Sequence, residues 1–229
     1  MSTIDYPRFE RLATRCAEIA AEPGMKPSVV RVYEEVLKSE GVGFLAAQHA
    51  VTAAETSFSK EDSEASQALA ALDAPYREAR SVVLAYAPET KLPDTLKSLK
   101  TDTDQLNAIE ALLDVLDDHA GQAWADEQAQ SGFGTKAAAT VKELNEAIAA
   151  NKALSAAREA RARSYGPAYE KYLRFKRVVR DALGATSKQY KRIHLREAAA
   201  APVAAPVVPP VAGTGTGAPT GKGGTVTSR

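Results

Sequence analysis

From Phe44 to Tyr86 the sequence repeats a stripe residue every third or fourth position: Phe44, Ala47, Val51, Ala54, Phe58, Glu61, Ala65, Leu69, Leu72, Tyr76, Ala79, Val83, Tyr86. This rhythm keeps one face of a helix turned toward one partner. At 1.5 Å per residue it requires a helix roughly 60 Å long. A helix of that length buries its stripe only against another of similar reach, which restricts the fold to packed long helices. Pro75 falls inside the stripe. Proline lacks a backbone donor and its ring crowds the preceding turn, yet the phase is the same on both sides, so a kink is expected there and not a division. Glu61 is the only stripe position that is not apolar; it reads as a bundle end, a contact to a partner helix, a register device or a local departure into solvent.

The flanking segments repeat the pattern. Phe9, Leu12, Cys16 and Ile19 share a face behind Asp5 as N-cap and Pro7, and Pro23-Gly24 stops that helix. Ser28 is the expected cap of a short helix burying Val29, Val32, Tyr33 and Val36 and ending at Gly41. "APETKLP", residues 87 to 93, is a turn, and Asp94 or the Thr101 to Asp104 cluster caps the next helix. That helix carries Leu106, Ile109, Leu113, Leu116, Ala120 and Ala123, with Leu112 and Trp124 beside them, and closes at "SGFG", 131 to 134. A third long helix starts near Thr135 with Val141, Leu144 and Ile148. Gly166-Pro167 is the expected break before a last long helix burying Tyr169, Tyr172, Phe175, Val179 and Leu183. Gly184 ends it, and Thr186 or Ser187 caps a brief helix, "KQYKRIHL". No segment keeps the two-residue alternation of a strand.

The fold class expected is therefore all-α: an elongated up-and-down antiparallel bundle of about four long helices plus short N-terminal helices. Residues 1–41 form the short helices, 42–196 the long-helix bundle, and 197–229 an Ala/Pro/Gly/Thr-rich tail whose composition predicts disorder. Hydrophobic residues make up 45% of the chain, but many are alanine and only 6% of the chain is aromatic, so the core should be thin. Alanine is also the strongest helix former.

Twenty-nine basic and 29 acidic residues balance, which argues against a uniformly basic nucleic-acid binder. The charges are segregated, however. Residues 54–127 hold 16 acidic and 6 basic residues, and 158–196 hold 12 basic and 3 acidic. The two fields are expected to offset one another within one bundle, or to guide the approach of subunits.

The residue types needed for several chemistries are missing or misplaced. A di-iron bundle needs Glu-x-x-His pairs; none of His49, His119 and His194 follows a glutamate by three. In "DVLDDH", 114 to 119, Asp117, Asp118 and His119 fan around the helix. No haem pocket with an axial ligand is visible, so neither a metal nor another cofactor is expected. "GTGAPTGKGG" departs from the phosphate-loop pattern at Thr216 and Gly223. Cys16, the only cysteine, cannot form an internal disulfide and lies on an apolar face, so it reads as a small core residue. No acid–base pair stands out, and no enzyme is expected. The opening "MSTIDYPRFERL" does not read as a secretory signal and no apolar run spans a membrane, giving a cytoplasmic expectation.

The candidate surface is basic: Arg174, Lys176, Arg177, Arg180, Lys188, Lys191 and Arg192. The expected function is that of a non-enzymatic helical bundle in assembly or protein–protein interaction, self-association included. The alternative is a nucleic-acid-associated protein using 158–196 for phosphate contacts, with "ALGATSK" as the turn between two helices. The layout of a bundle, a Pro/Gly-rich linker and a short terminal peptide, "TVTSR", resembles that of encapsulin cargo proteins, though "TVTSR" lacks that family's leucine.

Overall fold

The computed structural model describes residues 5–194, and the regular elements in that span are all helical. Helix α1 covers Tyr6–Ala20, α2 Pro27–Val32, α3 Lys38–Tyr86, α4 Asp102–Asp118, α5 Ala123–Gln130, α6 Gly132–Leu183 and α7 Lys188–Ile193. The all-α antiparallel bundle expected from the sequence is what the structure shows. Its axis is one pair: α3, 49 residues and about 73 Å long, lies against α6, 52 residues and about 78 Å. Their antiparallel register is marked by cross-pairs between residues 48 and 71 of α3: Gln48 with Arg161, Glu55 with Arg158, and the Ala71 carbonyl with Lys136.

Several local expectations are corrected. The expected third and last long helices are one. Gly166-Pro167 does not break α6, because the buried positions Ala137, Thr140, Leu144, Ala147, Leu154, Ala168, Tyr172, Phe175 and Val179 keep a single heptad phase through it. Packing on both sides of it, against α3 before it and against α1, the π-turn and α7 beyond it, outweighs the local cost of glycine and proline. Gly41 likewise ends nothing. Residues Tyr33–Leu37 form a π-turn that joins α2 to α3, and its wider winding puts Leu37, not Val36, in the core. The cap of α2 is Lys26 with Pro27 in the first turn, and Ser28 lies inside the helix. Conversely, the helix expected to run on to "SGFG" breaks at 119–122. Gly121 takes φ +89° there, a region other residues avoid, so Ala120 and Ala123 stay exposed and α5 starts anew. Ser131 of "SGFG" caps α6. A β-carbon at Gly134 would overlap the Ala129 backbone, so α5 can turn directly into α6 only at a glycine.

Pro75 does not divide α3. Its missing N–H leaves the Ala71 carbonyl without its usual donor, and Lys136 Nζ of α6 donates to that oxygen at 3.5 Å.

Two cores form at opposite ends of the α3–α6 pair. At the α1 end, Phe9 meets Phe44, Tyr165, Tyr169 and Tyr172 at centroid distances of 4.8–5.8 Å, mostly edge to face, the favoured geometry for aromatic rings. Cys16, Ile19, Val29, Phe175 and Ile193 are fully buried with them. At the α4 end, Leu72, Tyr76, Val83, Ile109, Leu112, Phe133 and Leu144 form the second core. Here Leu112 takes the central place and Leu113 is only partly covered. Between the cores, among the described residues, only two helices run side by side, and from 52 to 64 no residue of α3 is fully buried.

The segment linking α3 to α4 is fastened to one polar edge of α3. Thr95 Oγ1 donates to Asp73, Tyr76 Oη to the Pro93 carbonyl at 3.2 Å, and Arg80 Nε to the Leu92 carbonyl at 3.2 Å. Thr101, from the expected cluster, caps α4 by accepting from Asp104 N at 3.0 Å. The expected tail and "TVTSR" lie outside the described residues.

Candidate functional site

The seven basic residues singled out in the sequence fall on α6 and α7, some ion-paired within the chain and some not. Arg192 is held inward by α1, its guanidinium reaching Glu22 at 2.6 Å and Glu18 at 2.5 Å. Arg174 is paired with Glu170 one turn away, and Arg180 with Asp181 at 2.9 Å. Lys188 and Lys191 are exposed on α7 without an ion pair among the described residues, and the same holds for Arg177 on α6.

Lys176, Arg177 and Arg180 do come together. Their spacing on α6 puts them on one stripe with Leu173, and Tyr190 of α7 closes a shallow groove beside them. Ser187 caps α7 by accepting from Tyr190 N at 3.2 Å, which positions this ring. The α6–α7 turn is anchored beneath by Tyr172 Oη donating to the Ile193 carbonyl. Lys176 Nζ stands 6.0 Å from the Tyr190 centroid. Burial, and then the Arg180 charge, hold its ammonium below the usual lysine value. Leu173 projects beside this stripe with 41% of its surface exposed.

The acidic counterpart was legible only as a charge count. Leu113, Asp114, Leu116 and Asp117 of α4 and Ala120 of the turn after it line an open groove with Asp126 and Ala129 of α5. Among the described residues none of the α4 carboxylates forms an ion pair. Asp126 accepts the Gly121 N–H at 3.0 Å, which sets the groove's edge. Beside it Trp124 stacks on Tyr86 with rings 2° from parallel and centroids 5.0 Å apart, and Tyr86 is 62% exposed.

The expectation that the basic segment faces the acidic stretch within the chain is corrected by this placement. Arg158 does meet Glu55, at 3.0 Å. The basic groove, however, sits at the α1 end and the α4 carboxylates at the other. Gly134 lines the acidic groove and Lys176 the basic one. The stretch of α6 between them is about 60 Å long, several screening lengths at physiological salt.

Two further polar sites were missed or misread. Gln48 is buried where the stripe placed Ala47, and its Oε1 accepts from Arg161 Nη1 at 3.2 Å. The Arg161 guanidinium also lies over the Tyr6 ring at 4.1 Å. Arg161, one of the positive charges counted in the basic segment, is thus a half-buried packing group between the helices. Glu61 is a contact to the partner helix: it meets Glu143 and Glu146 of α6, with carboxylate oxygens close enough to hold a cation. Lys60 bonds Glu61 at 3.0 Å and Lys142 bonds Glu146 at 3.3 Å, so two ammonium groups already offset these charges.

Cys16 is fully buried, and burial pushes its thiol well above the usual range, so it is held as a neutral packing group. Burial pushes the Tyr76 phenol up to about 12, with Asp94 adding to the shift and Arg80 opposing it. The Asp73 carboxyl is lowered, first by the Thr95 hydroxyl and then by Lys97 and Arg77, against the opposing cost of burial. No described helix is long and apolar enough to cross a membrane. Comparison with protein-family models, curated proteins and solved structures returned no match.

Proposed function

We propose that this chain is a non-enzymatic helical bundle that works in assembly or protein–protein interaction, in the cytoplasm. The observation that supports this most is the pair of charged grooves whose charges find no full set of partners inside the described chain. Each groove also presents apolar surface next to its charges: Leu173 at one end, Leu113 and Ala120 at the other. Charged rims around apolar contact area steer encounter and fix register between proteins. Multi-angle light scattering at several concentrations, with affinity capture by the full chain, tests the reading. It predicts self-association or capture of a defined partner, reduced by substitution in either groove. A strict monomer that captures nothing would count against it.

A second reading, nucleic-acid association, is favoured by one specific observation: Arg177, Lys188 and Lys191 are exposed cations without ion pairs among the described residues. It predicts a salt-dependent gel shift that weakens on Arg177→Ala with Lys191→Ala. No shift at low salt would end it.

A further inference from the structure

The two grooves cannot satisfy one another within one chain, because about 60 Å of continuous helix holds them apart. A second copy can bring them together. We propose that the chain associates head to tail, the basic groove of one copy docking on the acidic groove of the next; this rests on the interaction reading above.

The chemistry of the two sides matches in kind as well as in sign. On one side Leu173 stands out from α6, flanked along the same stripe by Lys176, Arg177 and Arg180. On the other, Leu113, Leu116 and Ala120 form an apolar floor, edged by Asp114, Asp117 and Asp126. Leu173 entering that floor places Lys176 and Arg177, which have no ion pair among the described residues, with the Asp181-paired Arg180 beside them, against three carboxylates, and burial of the leucine strengthens the ion pairs around it by excluding water. The α4 carboxylates remain available for this, since no ion pair among the described residues uses them. Docked head to tail, each copy leaves one groove of each kind open, and such contacts build rings or open chains; an antiparallel pair that docked at both ends at once would instead close as a two-fold dimer.

Sedimentation velocity on the full chain, at low and high salt and over a range of concentrations, tests this. The wild type is expected to form species that grow with concentration and dissolve in salt. Lys176→Gln with Arg177→Gln, and separately Asp114→Asn with Asp117→Asn, should each weaken association about tenfold. An equimolar mixture of these two variants keeps one intact groove of each kind, so it should give a one-to-one complex that grows no further. Lys176→Arg with Arg177→Lys keeps the charge and should assemble like the wild type. Circular dichroism on each variant separates loss of contact from loss of fold.

A wild type that stays monomeric at low salt overturns the proposal, as does a variant mixture that stays monomeric while the wild type assembles. If a monomeric wild type binds one identified protein through these same residues, self-docking falls and the interaction reading stands. If it binds only nucleic acid through Lys176 and Arg177, both fall.

Discussion

Asp73 shows how one side chain can decide the placement of a whole segment. Its carboxylate is almost fully buried, with its side chain 5% exposed, and it meets Thr95, Arg77 at 3.5 Å and Lys97 at 3.8 Å. A carboxylate in such surroundings is favoured in its charged form, and its folded-state pKa is lowered. Its contribution to stability is therefore complete above the unfolded value of about 3.9 and is lost as pH falls through the lower folded value. Asp73→Ala should cost about 1–3 kcal/mol at neutral pH, because Thr95 loses its acceptor in a part-buried setting. Asp73→Asn keeps an acceptor for Thr95, and should flatten the acid limb of the stability curve more than it lowers stability at neutrality. Urea unfolding at stepped pH checks both; an acid limb unchanged in Asp73→Asn would remove Asp73 from the account.

At the scale of elements, the α3–α6 pair explains why proline and glycine mislead. Pro75 is accommodated because Lys136 reaches the carbonyl that the ring leaves without a donor. Lys136→Met should lower the melting temperature by about 1–3 °C in the wild type and by less in a Pro75→Ala background, where residue 75 regains its own N–H. Equal losses in both backgrounds would show that Lys136 acts some other way. The long stripes, the caps Asp5, Thr101 and Ser187, and the buried Cys16 were all legible in the sequence, since each depends on local spacing or a local hydrogen bond. Gly121 and Gly166 were misread in opposite directions. Which glycine ends a helix depends on whether packing continues past it, and beyond Gly166 α6 still packs on α1, the π-turn and α7. The candidate surface was half legible: the basic stripe could be read from its residues, but its separation from α4 depends on register between helices 100 residues apart in sequence. Arg161 and Gln48 could not be paired from sequence for the same reason.

The whole described unit has two cores that touch through a pair of helices alone. Trp124, the only tryptophan, sits at the α4 end and so reports on one core, while circular dichroism reports on both. Phe175→Ala removes a fully buried ring from the α1-end core, at a cost of about 3–5 kcal/mol. The helical signal should then begin to melt well below the tryptophan fluorescence transition. Coincident transitions in that variant would show the cores to be thermodynamically one. The stretch between them, with its unbroken heptad phase and few covered side chains, has a consequence of its own. It behaves as a gauge block. Seven residues added to each helix there would lengthen the span by about 10 Å and return both ends to the same facing, whereas three or four would turn one end about the axis. The spacing and the relative bearing of the two charged ends are therefore set by a count of residues in a region that touches neither.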